Sequence, residues 1–132
     1  MLQKQLLVAA LFAAALLGQE ATSQQLSGTW QAKVNGAVVC TLRLQGGEQI
    51  SGTLNDCSLN FNEKGELVAP DTVSSGTSPL RNVKLQKDIL SFEVEDEGDS
   101  VKMELKVVAK DRAELRVING PPQIKPVPFQ KT

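Results

Sequence analysis

Two cysteines, Cys40 and Cys57, are the residues of this 132-residue chain whose type and number point most directly to chemistry. Histidine is absent altogether. That absence removes the commonest general base and the commonest metal ligand together. A Ser-His-Asp triad, a Cys-His dyad and a histidine zinc site are all excluded. Two cysteines also fall short of the four N or S ligands that a structural zinc site needs. In an oxidising compartment two thiols pair, so a Cys40–Cys57 disulfide is expected. Carboxylates are the other reactive groups. Glu93, Glu95, Asp96, Glu97 and Asp99 crowd the stretch around Gly98. They lack the spacing of a calcium-binding EF-hand loop and read as a solvated hairpin tip. No spacing elsewhere sets an acid beside a base. The expectation is a protein that is not an enzyme and uses neither cofactor nor metal.

The compartment is read from the first residues. Lys4 gives the start one positive charge, an uninterrupted apolar run extends from Leu6 to Leu17, and the small residues Ala21 and Ser23 follow. Those are the three parts of a secretory signal peptide. The run is shorter than the roughly 20 apolar residues of a membrane span. Cleavage is expected after Ser23, giving a signal peptide at 1–23 and one domain at 24–132, secreted or periplasmic. The residue directly after that site is Gln24 rather than a cysteine, so a lipid anchor there is not expected. Charge is nearly balanced, with 14 Lys and Arg against 15 Asp and Glu. A nucleic-acid or anionic-membrane partner would call for a basic excess. The single Trp, four Phe and no Tyr leave few aromatic platforms for stacking a sugar or a base.

These residues are positioned by strands. From Leu90 to Val117, Leu90, Phe92 and Val94 alternate with Ser91, Glu93 and Glu95. Val101, Met103, Leu105 and Val107 then alternate with Lys102, Glu104 and Lys106, and Ala113, Leu115 and Val117 with Glu114 and Arg116. A period of two marks strands with one dry and one wet face. A two-residue turn at Glu97-Gly98 would set Val94 against Val101, Phe92 against Met103 and Leu90 against Leu105. A three-residue turn at Ala109-Lys110-Asp111 would set Val107 against Ala113 and Leu105 against Leu115. A one-residue slip would turn each apolar set to water.

Upstream, Trp30, Ala32 and Val34 lead into Asn35-Gly36, a strong hairpin signal. A plain two-residue turn there would put Trp30 on the face opposite Leu42, so a three-residue loop or a bulge is expected. After Gly46-Gly47-Glu48, Ile50, Gly52 and Leu54 are expected to pair onto Leu44, Leu42 and Cys40. In that register Cys40 faces Leu54, three residues short of Cys57. The parity of the apolar pattern breaks at Asn55-Asp56, and a bulge there would bring the cysteines together. Glu63 to Glu66 reads as a turn before a short strand at Leu67-Val68, and Pro70 to Pro79 as the one long loop. Val127 and Phe129, bracketed by Pro126 and Pro128, form an edge or closing strand. Eight to ten short strands make an all-β protein, a single antiparallel meander closing into a small barrel.

The opening Gly28-Thr29-Trp30 resembles the Gly-x-Trp on the first strand of lipocalin-like, or calycin, barrels. With Ile89-Leu90-Ser91-Phe92 midway and Lys125-Pro126-Val127-Pro128-Phe129 last, the chain is similar to small secreted bacterial barrels. The resemblance implies that Trp30 plugs the closed end beneath a cation from a late strand, with Arg116 or Lys125 in that role. It is shorter than a typical lipocalin and lacks the C-terminal helix. Avidin-type barrels share the motif, but the Trp and Tyr of their ligand pocket are missing here.

Such a barrel either is filled by its own side chains or encloses one small ligand. The inward set, Trp30, Leu42, Leu44, Ile50, Phe92, Met103, Leu105, Leu115 and Phe129, is bulky. A solid core and a shallow apolar pocket under the 70–79 loop both stay open. The expected partner is an apolar small molecule or an extracellular protein. The alternative is inhibition of an extracellular hydrolase by insertion of the 70–79 loop into its cleft.

Overall fold

The computed structural model describes residues 22–132. The expected signal peptide lies outside them, except for Thr22 and Ser23. Thr22 caps a four-residue helix, α1 (Ser23–Leu26), and its side chain and that of Gln25 satisfy each other's backbone N–H groups. Eleven strands follow: β1 (Gly28–Val34), β2 (Ala37–Gln45), β3 (Ser51–Asn55), β4 (Asn60–Phe61), β5 (Leu67–Val68), β6 (Thr77–Pro79), β7 (Arg81–Gln86), β8 (Ile89–Asp96), β9 (Asp99–Ala109), β10 (Arg112–Val117) and β11 (Val127–Lys131).

Nine of them form one antiparallel sheet in the order β6-β3-β2-β1-β11-β10-β9-β8-β7, while β4 and β5 pair as a separate hairpin. The sheet ends, β6 and β7, are consecutive in the chain with only Leu80 between them. Leu80 N donates to Gly52 O across the seam at 3.0 Å. The chain therefore steps at Leu80 from pairing with β3 to pairing with β8. The result is a nearly closed all-β barrel, as the strand pattern predicts.

Alternation fixes the central register as expected. Val94 pairs with Val101, Phe92 with Met103 and Leu90 with Leu105. Val107 pairs with Ala113 and Leu105 with Leu115. Left-handed backbone at Glu97 (φ 50°) and Gly98 (φ 87°) makes the tight β8–β9 turn. The β9–β10 turn holds two residues rather than three, because Arg112 pairs with Ala109 and a register shift follows.

The first hairpin satisfies both of its conflicting signals. Asn35-Gly36 is a two-residue turn that pairs Val34 with Ala37 and Lys33 with Val38, but Ala32 then pairs with Cys40. Val39 is the extra residue of a bulge, and both Val39 and Cys40 are buried. Trp30 is thereby returned to the face of Leu42, its cross-strand partner.

Between β2 and β3 the expected register is corrected by two residues. Leu42 pairs with Leu54 and Leu44 with Gly52. The loop between the paired ends Gln45 and Ser51 takes in Ile50 as well, so it is longer than Gly46-Gly47-Glu48. The Pro70–Pro79 stretch is also shorter as a loop than expected, since Thr77–Pro79 is strand β6. Strand β11 is the closing strand, pairing with β10 on one side and β1 on the other.

Strand directions define two ends. Helix α1 and the turns at 46–50, 87–88 and 110–111 gather at one, which is closed. The long excursions 56–76 and 118–126 rise from the other, the open end. Between them the core is filled by Leu26, Trp30, Leu42, Leu90, Phe92, Leu105, Leu115 and Phe129, each at most 2% exposed. Ile50 of the expected inward set is only partly buried.

Candidate functional site

At the closed end Trp30 is buried, and its indole Nε1–H donates to Leu26 O at 2.9 Å. The cation above it is Lys131, with Nζ 5.7 Å from the ring centroid. That lies within reach of a cation–π attraction. Lys131 Nζ also donates to Gln25 O at 2.8 Å, tying β11 to α1. The Lys131 stem crosses Gly28: a Cβ there would lie 2.8 Å from Lys131 Cε, and φ of +133° is open to glycine alone. The Gly-x-Trp spacing thus makes room for a lysine over the indole. Arg116 and Lys125 do not fill this place. Arg116 sits exposed on the wet face of β10 opposite Glu104. Lys125 is 4.0 Å from Glu66 at the open end. Lys131 shares the parity of Val127 and Phe129, which was the sequence signal for it.

The disulfide organises the open end. Cys40 and Cys57 are bonded, and no free cysteine remains. The two-residue register correction explains why they meet. Thr41 pairs with Asn55, the last residue of β3. Asp56 then takes left-handed backbone (φ 48°), turning the chain so that Cys57 reaches Cys40 and Ser58 N donates to Val39 O at 2.8 Å. The irregularity expected at Asn55-Asp56 is this turn. A disulfide is compatible with an extracellular or periplasmic location, and no described helix is long and apolar enough to cross a membrane.

Residues on either side of Cys57 hold the 70–76 loop. Asp56 N donates to Gly76 O at 2.8 Å, and Gly76 N returns a bond to Asp56 Oδ1 at 2.9 Å. Ser74 N donates to Ser58 Oγ at 2.7 Å. Exposed Thr77 completes the set, donating through Oγ1 to Asn55 Oδ1 at 3.0 Å. Val73 projects outward, 50% exposed. The loop is pinned along its C-terminal side and bare at Val73.

Beneath the open end lies a cavity of about 320 Å³. Leu54, Phe61, Val94, Val101, Met103 and Ile124 give it an apolar wall, while Glu95 and Asp96 border it. Its volume is at the small end of the range for ligand pockets, roughly 300–1,000 Å³. Its cover differs from the expected one. Ser78 alone comes from the 70–79 stretch; the rest of the cover is the β4–β5 hairpin and the 120–124 segment. Those two elements clasp each other, with Lys125 N donating to Gly65 O at 2.8 Å. Gly65 has φ +77°, and a Cβ there would collide with the Gln123 carbonyl.

The acidic hairpin tip is partly paired off. Glu93 accepts from Asn82 and Ser100, and these bonds, Asn82's foremost, hold its carboxyl below the usual Glu range. Glu95 is 3.1 Å from Arg81. Among the described residues no group of three or more acids, cysteines or histidines converges to hold a metal ion. Fold and site together define a nearly closed, disulfide-stapled antiparallel barrel. No protein-family model matches the chain, and no curated protein or solved structure matches it significantly.

Proposed function

We propose that this is an exported, non-enzymatic barrel of lipocalin-like build that acts on an extracellular protein through its open end. The observation that carries the reading is the 70–76 loop, pinned by Asp56 and Ser58 on either side of a disulfide with Val73 bare at its tip. A loop ordered before contact loses less conformational entropy on binding. The same property suits insertion into the cleft of an extracellular hydrolase, which is the form of the reading we favour. Filled packing of the lower barrel by Trp30, Phe92 and Phe129 turns the reading away from a deep ligand chamber. The basic-apolar leader and the disulfide support export.

The test is inhibition of a panel of secreted hydrolases by the disulfide-bonded protein. Val73→Asp should abolish any inhibition found while leaving the melting temperature unchanged. Inhibition that survives Val73→Asp would remove the loop from the mechanism. Export is tested by mass spectrometry of protein from its host, with an N-terminus expected at Gln24.

A second reading has its own observation, the apolar cavity under the β4–β5 hairpin. Here the partner is a small apolar molecule held at the barrel mouth. A fluorescent naphthylamine probe should brighten on binding, and Met103→Trp, which fills the cavity, should prevent it. Brightening unaffected by that substitution would place the probe elsewhere.

A further inference from the structure

The barrel is closed by a chain that changes sides. Above Leu80, β6 pairs with β3; below it, β7 pairs with β8 and with no other described strand. Leu80 N to Gly52 O is the bond at the crossing point. Below that point β3 has only Ser51 left, and the outer edge of β7 has no partner among the described strands.

The register of β7 shows which groups the seam leaves open. Gln86 pairs with Ile89 across a two-residue turn, and Lys84 pairs with Ser91. In such a hairpin the turn-closing pair and every second pair after it exchange the ladder bonds. The N–H and C=O groups of Leu85 and Val83 therefore point away from β8, into the seam. Side chains agree with the backbone. Val83, Leu85, Leu80 and Ile50 are half-buried and pack against the core from this side. An added strand could complete their burial and pair with both open residues.

We propose that this seam is a β-augmentation site for an extended segment of a protein partner, with an acidic residue opposite Lys84. Arg81 is already paired with Glu95, whereas Lys84 is exposed and joins no ion pair among the described residues. Its cross-strand neighbour Ser91 is neutral. A second copy of this chain is disfavoured, because two β7 edges laid antiparallel would bring Lys84 towards its own counterpart. Like charges opposed on paired strands are destabilising. A lysine and a bulge are common protections of an edge against copies of itself. They leave it open to a strand of opposite charge. The bulge between Arg81 and Lys84 limits the pairing to a short segment. This surface lies apart from the 70–76 loop and does not depend on the reading of that loop.

The experiment uses the disulfide-bonded protein, ¹⁵N-labelled, titrated with blocked octapeptides of alternating Glu and Val. The Val83 and Leu85 amide resonances should shift and their hydrogen exchange should slow. An alternating Lys-Val peptide should bind more weakly, and Lys84→Glu should reverse that order, each by roughly two- to fivefold. A Glu-Val peptide N-methylated at every second residue should not bind, since its donors are blocked. Absence of any shift at Val83 and Leu85 up to millimolar peptide would overturn the proposal. Equal binding of the N-methylated peptide, or concentration-dependent dimerisation of the protein through β7, would overturn it as well.

Discussion

Lys131 covers Trp30 only because residue 28 has no side chain. The Nζ of Lys131 stands 5.7 Å from the indole centroid, and its Cε passes where a Cβ on Gly28 would lie. The two ends of the domain meet in this contact.

Coupling between these positions is measurable. Lys131→Ala should lower stability by about 1–2 kcal/mol, from a cation–π contact and a hydrogen bond that solvent exposure weakens. Gly28→Ala should destabilise through its backbone conformation and through the collision with the lysine stem. In a double-mutant cycle Gly28→Ala should be less damaging in the Lys131→Ala background, by at least 0.5 kcal/mol, as is usual for residues in contact. Strict additivity would show that the stem does not cross Gly28.

Leu105 is fully buried and pairs with both Leu90 and Leu115. Leu105→Ala should cost about 2–5 kcal/mol in urea unfolding, the range for truncating a buried leucine. Its neighbour Lys106 is exposed, and Lys106→Ala should change stability by less than about 0.5 kcal/mol. Equal effects would mean that the inner and outer faces have been exchanged.

The Cys40–Cys57 bridge spans 17 positions. A loop of that size contributes about 3 kcal/mol in the chain-entropy treatment. Cys40→Ala with Cys57→Ala should lower stability by about that amount. Hydrogen exchange should quicken first at Asp56, Ser58, Ser74 and Gly76, whose bonds flank the bridge. Thiol counting in denaturant, on protein purified without reductant from an oxidising compartment, should find no free thiol; two would refute the bridge.

Glu93 offers a test by titration. Its carboxyl ionises below the usual Glu range, chiefly through the Asn82 hydrogen bond. A depressed carboxyl stabilises the fold above its unfolded pKa, near 4.5, and that contribution fades as pH falls through the lower folded value. Asn82 has φ of +52°, so Asn82→Gly removes the amide without straining the backbone. The Glu93 carboxyl carbon should then titrate at higher pH by NMR, with Ser100→Ala giving a smaller rise. No change in either variant would separate Glu93 from both partners.

What the sequence revealed follows from how local each determinant is. Alternation and short turns specify the pairing of β8, β9 and β10, because a slip would expose Leu90, Phe92 and Leu105 at once. The β2–β3 register depends on the length of the 46–50 loop, which parity leaves free by two residues, and there the expectation moved. Conflict at Asn35-Gly36 was visible as a parity clash, and the bulge at Val39 resolves it. The disulfide could be read from compartment and cysteine number, and the break at Asn55-Asp56 marked its turn. The cover of Trp30 was harder. Arg116 lies on the wet parity of its strand, whereas Lys131 lies on the dry one, but only barrel closure brings Lys131 over the indole. The mouth's cover was harder still, because Gly65 and Gln123 meet through packing that no local pattern records.

Closure of the barrel also bears on the order in which it forms. Each hairpin from β7 to β10 joins neighbours through a tight turn, and such pairs form fast. The β1–β11 seam is different, for Lys131 and Gln25 lie 106 positions apart. Loop-closure entropy opposes bringing them together until the intervening strands have shortened the path. Trp30 therefore waits for Lys131, and a chain still emerging from the ribosome carries an open barrel with its indole uncovered. Burial of Trp30 is expected to be the last event of folding, so its fluorescence reports completion of the chain rather than collapse of the core.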